Sequence, residues 1–173
     1  MSGKGLSGHE SQHAVSVDWF TPAWVFDALG LTFDLDPCAP VGGVPWVPAA
    51  NHYSAYDNGL IKPWSGRVWL NPPYGNLTGK FLARMHAHRD GVALVFARTD
   101  TAWFHAYAAT ANAILFLEGR IAFVDARGVT GGSGAGAGSI LIAWGADNVA
   151  ALRHFQTTRG GFLWLSTEKR NAA

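Results

Sequence analysis

Asn71-Pro72-Pro73-Tyr74 holds the residue types needed to make a planar aromatic amine nucleophilic. The lone pair of such an amine, that of adenine for example, is delocalised into the ring and attacks poorly. Two fixed oxygens can localise it. The Asn71 carboxamide oxygen and the Pro72 backbone carbonyl each accept one N–H, drawing the nitrogen toward tetrahedral geometry with its lone pair outward. Pro72 and Pro73 restrict φ and so hold that carbonyl in place. Tyr74 offers a π-face on which a base drawn out of a duplex can stack. No general base is required, because the amine becomes strongly acidic once its lone pair has attacked an electrophile. The plainer role for Asn-Pro-Pro-Tyr is a turn that ends a strand.

A second group is Phe33-Asp34-Leu35-Asp36-Pro37-Cys38-Ala39. An acid at the end of a strand, followed by a tight loop of small residues, suits a cationic cofactor whose amino acid end lies close to backbone. Asp36 would meet the ammonium of such a cofactor directly or through water, and the carbonyls of Pro37 and Ala39 would line its pocket. The alternative is a solvated strand end, since the Gly-x-Gly common after such an acid is absent. Arg98, Arg120 and Arg127 fall at strand ends and loops where DNA phosphates could approach, although surface ion pairing explains each of them equally well. The glycine-rich residues 131–138 lack the Lys-Ser/Thr ending of a phosphate-binding loop and read as a flexible hairpin loop.

The elements that must carry these groups follow from periodicity. Thr21 and Pro22 open a short helix that ends at Gly30, with Val25, Phe26 and Leu29 as its buried stripe. Residues 31–36 alternate as a strand does, and 37–59 read as a long loop with at most one short strand near Trp46 or His52. A strand over 67–70 delivers Asn71. Phe81, Leu82 and Met85 mark a helix, the apolar run 92–97 a central parallel strand, 100–109 a helix and 113–118 the next strand. Trp103 and Phe104 read as helix core. Residues 121–124 and 139–144, joined without a helix, predict an antiparallel hairpin. Asp147 caps a last helix carrying Val149, Leu152 and Phe155, and 162–165 form an edge strand. The result is a three-layer α/β domain over 17–165 with a mostly parallel sheet, flanked by flexible segments at 1–16 and 166–173. In such sheets ligands bind beyond the carboxyl ends of the strands, which puts Asp36 and Asn71 on one rim.

Composition agrees with a packed enzyme core. Of 173 residues, 49% are apolar and 14% charged, which excludes an intrinsically disordered chain. A net charge of +1 argues neither for nor against nucleic acid. No membrane span or secretory signal is expected, and a cytoplasmic setting follows. Cys38 is the single cysteine, and the seven His lack spaced Cys partners, so neither a disulfide nor a metal is expected. His86 and His88, two apart, would not share a helix face.

Taken together, these segments resemble the phage-type DNA N-6-adenine methyltransferases that carry the Dam name, from about Asp18 to Trp144. The resemblance rests on Trp19-Phe20-Thr21-Pro22, Phe33-Asp34-Leu35-Asp36 with Ala39, Asp57-Asn58-Gly59-Leu60 followed by Trp64, and Val68-Trp69-Leu70-Asn71-Pro72-Pro73-Tyr74. It continues through Ala97-Arg98-Thr99-Asp100-Thr101, Trp103-Phe104, residues 116–123, and Gly132-Ser133-Gly134-Ala135. It implies a Rossmann-like class I methyltransferase fold, S-adenosylmethionine as cofactor, DNA as partner, and a bacterial or phage-infected host cell. It also implies that Thr21 and Pro22 border the methionine end of the cofactor, that Asp36 belongs to its binding loop, and that Asp57 approaches its adenine amine or ribose. With no acid between Asp36 and Asp57, Asp57 substitutes for the usual ribose carboxylate. Alternatives are methylation of another planar amine (cytosine, RNA adenine or glutamine), or an inactive DNA-binding module on the same fold.

Overall fold

In the computed structural model, which describes residues 19–125, 127–130 and 135–167, a single seven-stranded sheet organises the chain. Its strands are β1 (Phe33–Asp36), β2 (Ala49–His52), β3 (Val68–Leu70), β4 (Gly91–Phe96), β5 (Ala113–Phe116), β6 (Ser139–Trp144) and β7 (Phe162–Leu165). The helices are α1 (Ala23–Leu29), α2 (Thr78–His88) and α3 (Ala146–Arg159), with a π-helical turn at Phe104–Ala108. The spatial order is β2-β1-β3-β4-β6-β5-β7. β1 pairs in parallel with β2 and β3, and β3 with β4. β6 runs antiparallel between β4 and β5, and β7 antiparallel to β5 at the edge.

Alternation along β4 shows why the sheet carries helices on both faces. Val92 and Leu94 pack with Val25, Phe26 and Leu29 of α1 and with Leu152 and Phe155 of α3. Ala93 and Val95 pack with Phe81, Leu82 and Met85 of α2 and with Ala108 of the π-helical turn. Every residue from Gly91 to Val95 is buried, so each side chain displaces water against one layer or the other. The three-layer arrangement and the buried stripes of α1 and α2 are as the sequence predicts.

Several boundaries differ. Thr21 does not cap α1: the N-cap is Pro22, with no side-chain cap bond, and Thr21 is instead buried beside Asn71. Gly30 does end the helix, in the left-handed conformation at φ 62°. Asp147 lies inside the first turn of α3 behind Gly145 as N-cap, and reaches Arg67 at 3.4 Å. β1 starts at Phe33, and residues 100–109 yield only a π-helical turn with one short helical turn before it.

The predicted antiparallel hairpin is absent. Residues 121–124 form no strand, and Val124 makes only isolated bridges to Phe20 and Thr130. β6 pairs instead with six residues of β4 and four of β5. The apolar edges of β4 and β5 offer long ladders that the short 121–124 segment, set off by Gly119 at φ 74°, does not match. β4 is thus central, but parallel on one side only. Ser166, assigned to the flexible tail, donates its N–H to the Asn112 carbonyl at 3.0 Å. Residues 1–16, expected from the sequence to be flexible, the rest of the tail from 168 and residues 131–134 of the glycine-rich loop lie outside the described residues. Among the described residues no helix is long and apolar enough to cross a membrane.

Candidate active site

The carboxyl ends of β1 to β4 open onto a cleft of about 1040 Å³. One wall comes from residues 37–41 after β1 and from Ser54, Ala55, Asn58, Gly59 and Leu60 after β2. The other comes from Asn71, Pro72, Pro73 and Tyr74 after β3 and from Phe96 at the end of β4. Trp19, Phe20, Phe123 and Ala135 complete the mouth. The N-terminal stretch is tied there because Phe20 and Val124 exchange backbone hydrogen bonds of 2.7 and 3.0 Å.

Asn71 stands one residue beyond the fully buried β3. Its Nδ2 donates to the Thr21 hydroxyl at 3.4 Å, and its Oδ1 is buried with no hydrogen-bond partner. Leaving a buried amide oxygen unpaired costs about 1–3 kcal/mol, and such atoms in folded proteins call for a reason. The Pro73 carbonyl accepts from the Thr78 hydroxyl at 3.0 Å, while no described residue donates to the Pro72 carbonyl. Both oxygens singled out by the sequence are therefore without a donor among the described residues. Gly75, at φ 99°, turns the chain sharply into α2, a conformation that an L side chain would strain.

Tyr74 is 43% exposed, and one face of its ring is covered by Phe96, with centroids 4.1 Å apart and planes within 6°. Sequence reading missed Phe96. The available signal was an aromatic at the last position of an apolar strand, where a side chain reaches the rim.

Asp36 is 6% exposed, which rules out the solvated strand end. Burial pushes its carboxyl up to about 7, against the opposing pull of the Cys38 N–H at 3.0 Å. Burial, and after it the Asp36 charge, also raises the Cys38 thiol well above its ordinary range, so Cys38 is no thiolate nucleophile. Asp36 backs the wall without lining it, whereas Pro37, Cys38 and Ala39 line the cleft. Thr21 and Pro22 are likewise buried behind the lining.

Asp57 does not reach the cleft either. Its carboxylate accepts from the Ser54 N–H at 2.9 Å and the Ser54 hydroxyl at 2.8 Å, and pairs with Lys62 at 3.4 Å. The Ser54 N–H, then its hydroxyl, hold Asp57 below the usual carboxylate range. Asp57 thus shapes the loop, while Ser54, Asn58 and Gly59 present its inner surface. Gly59 is pressed so closely on the Pro37 carbonyl that an added Cβ would sit 2.2 Å from that oxygen.

The three arginines differ. Arg98 is exposed just beyond β4 and has no side-chain partner among the described residues. Arg120 donates to the Ala135 carbonyl at 3.1 Å, and Arg127 is paired with Asp125 at 2.7 Å. Trp103 and Phe104 are half-buried against the α2 side of the core. His86 and His88 diverge as expected, one beside Tyr107 and the other beside Trp64. No group of three His, Cys, Asp or Glu side chains among the described residues is arranged to hold a metal.

No curated protein and no solved structure matches the chain. The family model described as DNA N-6-adenine-methyltransferase (Dam), by contrast, matches residues 9–158, a span that includes every strand of the sheet but β7 and both walls of the cleft, and the chain belongs to that family.

Proposed function

We propose that this chain methylates the exocyclic amine of an adenine extruded from DNA, with S-adenosylmethionine as donor, on a Rossmann-like class I methyltransferase fold. The observation that carries the reading is the pair of unpartnered oxygens, Asn71 Oδ1 and the Pro72 carbonyl, beside the ring of Tyr74. A buried acceptor left open in the free protein is accounted for if a donor arrives with the substrate, and an adenine amine brings two N–H groups. Thr21 turns the Asn71 carboxamide by holding its Nδ2, which leaves the oxygen as the free end.

The cleft, at about 1040 Å³, lies at the upper end of the roughly 300–1,000 Å³ usual for a small-molecule site, which accommodates a cofactor the size of S-adenosylmethionine. The donor set suits S-adenosylmethionine: backbone at 37–39 for the amino acid end, the buried Asp36 carboxylate behind it, and the 54–59 loop for the nucleoside. When bound, this cofactor supplies an electrophilic methyl group. The protein's part is to accept the amine hydrogens, fix the base against Tyr74 and exclude water. Arg98 is the arginine best placed to meet phosphate, because its charge is not committed to a neighbour.

The direct test is to incubate unmethylated DNA with protein and labelled cofactor, digest to nucleosides and look for N6-methyladenine. A panel containing cytosine substrates, RNA and a glutamine peptide accompanies it. Label in any other product with none in adenine would overturn the assignment. DNA binding without cofactor binding would point to an inactive module.

A further inference from the structure

Tyr74 sits four residues beyond β3, between Pro73 and the sharply turned Gly75, and its hydroxyl makes no hydrogen bond among the described residues. Nothing polar orients its ring. Phe96, in contrast, is the last residue of β4 and is held by ladder pairing with Ser139 of β6. The loop-borne ring therefore lies on a strand-borne one, at 4.1 Å and nearly parallel. Aromatic pairs favour parallel stacking of this kind, and no other ring among the described residues stacks on Tyr74, which lines the cleft.

We propose that Phe96 is a positioning residue that holds the Tyr74 ring ready, so that the extruded base completes a stack in the order base, Tyr74, Phe96. This rests on the function proposed above. Without Phe96, Tyr74 would have to be immobilised when the base arrives, and ordering a free side chain at that moment weakens capture of the base. Phe96 would act on DNA capture and leave the cofactor wall alone, since residues 37–41 and 54–60 follow other strands. The competing arrangement has Phe96 occupying the place of the base and being displaced by it.

The test compares wild type with Phe96→Leu and Phe96→Tyr. The readouts are steady-state methylation of DNA, calorimetric binding of S-adenosylmethionine, and the fluorine resonance of 3-fluorotyrosine at position 74, assigned with Tyr74→Phe. In wild type that resonance should show the ring-current shift of a stacked partner, and it should keep the shift when DNA and a non-reactive cofactor analogue are added. Phe96→Leu should lose the shift, raise KM for DNA and lower kcat/KM roughly tenfold, with cofactor affinity unchanged, and Phe96→Tyr should restore all three.

A shift lost on adding DNA to wild type, or a Phe96→Leu enzyme as fast as wild type or faster, would overturn the proposal. If Phe96→Leu loses cofactor binding as well, Phe96→Tyr and the wild-type fluorine shift still decide it. Wild type that forms no methyladenine would sink the functional reading instead, and the fluorine measurement would still report whether Phe96 orders Tyr74.

Discussion

The wall of the cleft that follows β1 and β2 engages polar groups within itself, whereas the wall that follows β3 leaves two oxygens without donors among the described residues. On the first wall Asp57 closes on Ser54, Asn58 Oδ1 accepts from the Leu60 N–H, and the Gly59 carbonyl accepts from Trp64 Nε1. The Ala39 N–H bonds to the Tyr53 carbonyl, which joins the two loops. On the second wall Asn71 Oδ1 is orphaned and the Pro72 carbonyl is open. Satisfied groups give a fixed shape at no polar cost, whereas unsatisfied ones store a demand that a ligand can meet. The first wall suits recognition by contour, the second by hydrogen bonding to a reacting group.

The contrast predicts unequal consequences of substitution. Asn71→Ala should reduce turnover by about 10²- to 10³-fold, the scale found for removing one preorganised polar contact, with cofactor affinity preserved by calorimetry. If product formation is undiminished, Asn71 has no part in the reaction. Gly59→Ala should act on the other wall. Its Cβ meets backbone at Pro37, so the 37–39 and 54–60 loops must separate, lowering stability by about 1–3 kcal/mol in denaturant titration and weakening cofactor binding. A variant with wild-type cofactor affinity would mean that the contour of this wall does not matter.

Asp36 gives a pH signature. Its carboxyl titrates near 7 when folded and near 3.8 in the reference state, so the folded protein binds the extra proton between those values. Stability should fall as pH rises from about 4 to 7 and level off above that. Asp36→Asn should remove this component from a series of thermal melts, and an unchanged profile would show that Asp36 is not the group responsible. The smallest effect is expected at the rim. Arg98→Ala should lower the salt dependence of DNA binding by about one unit of slope, and Arg127→Ala by less, because Asp125 already holds Arg127. Equal slopes for the two variants would remove the distinction.

Asn71 and its two prolines were legible as chemistry because few residue pairs present two rigid acceptors side by side, and the apolar strand before them was plain in the sequence. Asp36 was legible as an acid at a strand end, but its burial was not, since burial depends on layers folded over it from elsewhere. Asp57 illustrates the reverse. The resemblance implied that it approaches the adenine amine or ribose of the cofactor, yet Ser54, three residues earlier, captures the carboxylate, and only the turn geometry reveals that.

Local pattern was enough to settle that this chain builds an α/β sheet sandwiched by helices and carries Asn-Pro-Pro-Tyr at a strand end, because side-chain period and turn chemistry act over a few residues. The folded sheet is parallel from β2 to β4 and antiparallel beyond. Which strand lies beside β4, and which ring lies on Tyr74, emerged only with the assembled sheet. Both are contacts between segments separated in the chain: Phe96 meets Tyr74 because β3 and β4 lie side by side, and Ser139 because β6 lies between β4 and β5. Such pairings are chosen by competition among whole edges for the longest buried ladder, which no single segment encodes.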